Sequence, residues 1–78
     1  MLQVIRLKYI KDHIVWVSLS DGSKGNVDLA GFVEGDLKDK ATFMKLRLDN
    51  KLGTITWPNG ATFTPEFLKE HIARANFG

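Results

Sequence analysis

The sequence predicts an α+β fold: a small, mainly antiparallel sheet of five or six short strands with a C-terminal helix packed on one face. Three observations predict it. Apolar and polar residues alternate in several short windows separated by turn residues, which is the period of a half-buried strand. One helix-start signal, Thr64-Pro65-Glu66, comes late and precedes an apolar stripe. The chain has 78 residues, 44% of them hydrophobic and 26% charged. That suits one domain, residues 1–78, and is too apolar for a disordered tail.

Taken in order, residues 4–10 (Val-Ile-Arg-Leu-Lys-Tyr-Ile) form the first strand, with Ile5, Leu7 and Tyr9 on one face and Arg6 and Lys8 on the other. Lys11-Asp12-His13 is a polar turn. Residues 14–20 are rich in β-formers. Val15, Val17 and Leu19 mark one side, and Ile14, Trp16, Ser18 and Ser20 the other. Asp21-Gly22 reads as a tight turn, and residues 25–29 return as a third strand, completing a meander. Between Leu29 and Ala41, Leu29, Phe32, Val33 and Leu37 have helical spacing, but Gly31 and Gly35 limit it to one or two short helical turns.

Residues 43–49 alternate again. Met44, Leu46 and Leu48 face one way, Lys45 and Arg47 the other. Asn50 to Gly53 turns, Thr54 to Trp57 is a strand with Ile55 and Trp57 inward, and Pro58-Asn59-Gly60 turns the chain. Ala61 to Phe63 is read as a last short strand. Thr64 then suits an N-cap, Pro65 the first helical position and Glu66 the positive end of the dipole. Leu68, Ile72 and Ala75, with Phe67 beside them, make the packing stripe. Glu70 and Arg74 are an i, i+4 pair, and residues 76–78 fray.

Composition excludes several functions. Without cysteine there is no thiolate nucleophile, thiolate ligand or disulfide. No apolar run is long enough to span a bilayer. Charge at Arg6, Lys8, Lys11 and Asp12 interrupts any leader-like segment, so the expected location is the cytoplasm, with no membrane partner. A net charge of +2 is modest for a dedicated nucleic-acid binder. His13 and His71 lack carboxylates at metal-ligand spacing and read as surface residues. Asp21, Asp28 and Asp49 read as turn or capping groups. No phosphate loop or nucleophile elbow is present. The expectation is no catalytic site, no cofactor and no metal.

The residues Asp21-Gly22, Val27-Asp28-Leu29, Phe43, Leu46, Leu48, Trp57-Pro58-Asn59-Gly60-Ala61, Pro65-Glu66 and Leu68 resemble the bacterial family called Domain of Unknown Function 2442. The resemblance covers roughly residues 3–72, and Trp57-Pro58-Asn59-Gly60 with Pro65-Glu66 is its most specific part. Thr62 stands where the family often has Asp, and Lys69 where it often has Tyr. The resemblance implies a Nitrosomonas-type small α+β fold and no established activity. Family members look like companions of a small protein encoded beside them, reminiscent of toxin–antitoxin pairs.

Two surfaces invite a role. Trp57-Pro58-Asn59-Gly60 reads first as a structural turn with Trp57 in the core, and otherwise as a recognition surface. Strand parity puts Arg6, Lys8, Lys45 and Arg47 on one outer face, with Ile14 and Trp16, if their strands share a sheet. That face suits a protein contact or self-association. The alternative is a nucleic-acid-binding accessory domain, with a base stacked on Trp16 and phosphates held by the four cations.

Overall fold

The computed structural model describes residues 1–72. Strands β1 (Val4–Lys11), β2 (Ile14–Leu19) and β3 (Lys24–Asp28) form an antiparallel meander in that order. The β2–β3 turn is closed by Gly22 N donating to Leu19 O at 3.0 Å and Leu19 N donating to Ser23 O at 2.7 Å. A 3-10 turn at Gly35–Lys38 and helix α1 (Lys40–Phe43) follow, the latter capped by Asp39, which accepts from Thr42 N. Strands β4 (Arg47–Asp49) and β5 (Thr54–Thr56) make a second antiparallel pair, and helix α2 spans Pro65–Glu70. The five strands thus form two sheets, of three and two strands, rather than one. Val4 N donates to Gly53 O at 2.8 Å, so a single backbone bond joins β1 to the loop ahead of β5.

Two β-bulges correct the reading of β1. Val4 pairs with Leu19 but Arg6 with Ser18, and Tyr9 pairs with Val15 but Lys11 with Ile14. Ile5 and Ile10 are therefore extra residues, each opposed by no single partner. The first bulge shifts the parity by one. Val4 enters the core at 3% exposure, and Ile5, expected inward, is 51% exposed.

The segment 43–49 also departs from expectation. Asp39 starts a helix that ends at Phe43, and turn bonds continue through Lys45 N to Thr42 O and Leu46 N to Phe43 O. Only Arg47 to Asp49 extend as strand. Met44, expected inward, is exposed. Residues 61–63 contribute an isolated bridge, Thr56 to Thr62, instead of a strand.

Val15, Val17, Leu19, Val27, Leu29, Phe43, Ile55 and Leu68 are fully buried, with Trp57 at 2% exposure. An aromatic row runs through this core. Tyr9, Phe43, Trp57, Phe63 and Phe67 follow one another at ring separations of 6.3, 5.4, 5.7 and 5.1 Å. Thr64 caps α2, its Oγ1 accepting from Phe67 N at 3.1 Å, and Pro65 occupies the first turn. The helix ends at Glu70, and Ile72 bridges to Val27 of β3. The expected Arg74 pairing, the Ala75 packing and the terminal fraying lie outside the described residues.

Candidate interaction face

Each strand of the meander has one face toward the core. Directly opposed residues of an antiparallel pair share a face, so the register fixes what the other face carries. Three rows cross it: Arg6–Ser18–Lys24, Lys8–Trp16–Asn26 and Lys11–Ile14–Asp28. Arg6, Lys8, Lys11, Lys24 and Asn26 are exposed, and Ile14, Trp16 and Ser18 are half-buried between them. The result is an apolar centre, Ile14 and Trp16 on the middle strand, flanked by cations on both outer strands. Asp28 is the one carboxylate in these three rows, and its Oδ1 accepts from Ala30 N at 3.0 Å.

Arg6, Lys8, Ile14 and Trp16 are thus brought together as the alternation predicts. Lys45 and Arg47 are not. Lys45 follows α1, and Arg47 belongs to the second sheet, opposite Thr56. The condition that placed four cations on one sheet fails because α1 occupies the first half of the alternating segment. Lys11 and Lys24 take their place. The Asp21-Gly22 turn sets the register that puts Lys24 beside Ser18, so turn length was the signal for Lys24.

The Trp57-Pro58-Asn59-Gly60 geometry accounts for each residue locally. Gly60 N donates to Trp57 O at 2.9 Å and Trp57 N to Ala61 O at 3.0 Å. Pro58 supplies the fixed φ that a turn wants after its first residue, Asn59 Oδ1 accepts from Ala61 N at 3.0 Å, and Gly60 takes φ +90°. Trp57 Nε1 donates to Phe43 O at 2.8 Å, tying the turn to the end of α1. Pro65 is buried and Glu66 exposed in the first turn of α2.

The titratable candidates are dispersed. Asp21, Asp28 and Asp49 each accept from a backbone N–H two residues on, at 2.9, 3.0 and 2.8 Å, in three separate turns. The histidines, read from sequence as surface residues, are half-buried. His13 Nε2 donates to Leu37 O at 3.0 Å, with its ring edge on Phe43. His71 Nδ1 donates to Phe67 O at 2.8 Å, and its ring stacks on Phe67 at 4.2 Å. The i, i+4 spacing of Phe67 and His71 already carried that contact. Asp21 also accepts from Lys69 Nζ at 2.6 Å. That bond, and then the Ser23 N–H, hold its carboxyl down at about 2, from an ordinary 3.8. Among the described residues, no group of three or more His, Asp or Glu could hold a metal ion, and no helix is long and apolar enough to cross a membrane.

A small α+β module with an enclosed aromatic core and a cation-flanked open sheet face is the class these features define. The chain belongs to the family described as Protein of unknown function (DUF2442), whose model matches residues 4–74 and so takes in every strand and helix above. No curated protein and no solved structure matches it.

Proposed function

We propose that this protein is a non-enzymatic interaction module of the bacterial cytoplasm that binds a partner protein through the outward face of β1–β2–β3. The observation that carries the reading is Trp16 on the central strand, half-buried between Lys8 and Asn26 and pointing away from the core. In this reading α2 packs on the inner face of the same sheet, supported by Leu68 in the core, and leaves the outer face to the partner. Ile14 and Trp16 supply the apolar contact. Arg6, Lys8, Lys11 and Lys24 form a rim that selects an acidic surround, because like charges opposed at an interface are strongly disfavoured. The candidate partner is the small companion protein that the family resemblance implies, in a toxin–antitoxin-like pair, and the reading requires its contact surface to be acidic.

The test is titration calorimetry of the chain against that neighbour protein. Trp16→Ala, checked for fold by circular dichroism, is expected to abolish measurable heat, since aromatic anchors at the centre of an interface dominate its energy. Unchanged affinity refutes the reading. Binding instead to a single-stranded oligonucleotide, weakening steeply with added salt, moves the face to nucleic acid.

A further inference from the structure

The cationic face restricts how two copies of this chain can meet. Face-to-face pairing sets Arg6, Lys8 and Lys24 of one copy against the same residues of the other, which repels. The chain carries a surface of the opposite character. A groove of about 880 Å³ opens between the start of the chain, the β2–β3 turn and α2. Met1 and Leu2 give it an apolar wall, and Asp21, Glu66 and Glu70 give it carboxylates. Lys69 and Asp21 offset each other at 2.6 Å. Glu66 and Glu70, one helical turn apart and both exposed, then set the sign of the groove.

We infer that the chain self-associates head to tail, the Trp16 face of one copy seated on the Glu66–Glu70 groove of the next. Each surface has an apolar middle and charges of one sign, and the signs are complementary. The contact is heterologous, so it closes into a pair only where both copies can exchange face and groove, and otherwise runs on as a chain. The inference rests on the reading of the face as a protein contact.

The test is sedimentation of the full chain over a concentration series. At low ionic strength the mass is expected to rise with concentration, and added salt should reverse the rise. Glu70→Lys reverses the groove at the last turn of α2, where a cation is favoured by the helix dipole, so it should fold. It should weaken association on the order of tenfold. Lys8→Glu with Lys24→Glu should do the same from the face. Mixing the two variants lets the unaltered basic face of the Glu70→Lys chain meet the unaltered acidic groove of the other, besides pairing an acidic face with a basic groove, and should restore association. A wild-type chain that stays monomeric at about millimolar concentration, or a mixture no better associated than its parts, overturns the inference. Calorimetric binding of the neighbour protein that persists in such a case leaves the proposed function standing. Loss of that heat with Trp16→Ala while the mixture still associates supports both.

Discussion

Replacing Trp57 by Phe isolates what the most specific motif contributes. Trp57 is 2% exposed, and its Nε1–H donates to Phe43 O at 2.8 Å. Phenylalanine keeps one aromatic ring in the row and loses the donor and the second ring. Phe43 O is not orphaned, because Leu46 N also donates to it at 3.2 Å. The hydrogen bond therefore accounts for about 1 kcal/mol. The lost burial and partly filled space add roughly 1–2 kcal/mol. A domain of this size has on the order of 4–12 kcal/mol in all, so about 2–3 kcal/mol is a large share. With a urea dependence near 1 kcal/mol per molar, the unfolding midpoint should fall by about 2–3 M. Trp16→Phe, at a half-buried site facing outward, should move it by less than ~0.5 M. Far-ultraviolet circular dichroism is the proper probe, since both substitutions alter tryptophan fluorescence. Equal shifts for the two variants would refute the assignment of one tryptophan to the core and the other to the outward face.

Asp21 gives a pH prediction. Its carboxyl is held at about 2, below the ordinary 3.8, so its bond to Lys69 contributes fully above pH 4 and is lost as the pH falls toward 2. Asp21→Asn should flatten the urea midpoint across that range, and an Asp21 carboxyl that titrates by NMR near 3.8 contradicts the pairing. Gly60 takes φ +90°, and a methyl group added there would meet nothing within 4 Å, so Gly60→Ala encounters backbone strain alone. It should cost about 1 kcal/mol and about 5 °C in Tm by calorimetry. Gly31→Ala, with open space and no positive φ, should leave Tm unchanged, and equal melting of the two refutes the strain argument.

The meander, the Trp57 turn and the start of α2 were legible in the sequence because their signals are local. Turn chemistry, capping and period-2 alternation each act within a few residues. What was not legible depends on partners. Val4 and Ile5 are both apolar, so the alternation cannot say which one faces the core. The β2 register decides, through a bulge. Residues 43–49 alternate as cleanly as any strand, yet Asp39 caps a helix that carries Phe43 into the core and under the Trp57 indole. That tertiary contact overrides the pattern, and with it Lys45 and Arg47 leave the face. Four of the six residues expected on that face thus share it, and Lys11 joined them only through the β1–β2 register, whereas Lys24 follows from the length of the β2–β3 turn.

The same register explains why the open surface is a face and not an edge. An unpaired strand edge offers its backbone to any passing chain. Here β1 carries two bulges, at Ile5 and Ile10, which break the regular spacing that such pairing requires. Its first residue is bonded to Gly53, and β3 is bridged at Val27 by Ile72. Both outer strands are thereby poor templates for strand addition. The flat face remains, but Arg6, Lys8 and Lys24 prevent two such faces from stacking. On the proposed reading, the cations that keep two such faces apart also set the sign of the surface that the face binds. In that reading an apolar centre within a basic rim favours an acidic-rimmed protein surface over a basic one. Lys8→Gln combined with Lys24→Gln, which removes these charges without reversing them, should consequently do more than weaken binding to an acidic surface: it should relieve the repulsion between identical faces and expose the sheet to aggregation, which light scattering at rising concentration would record.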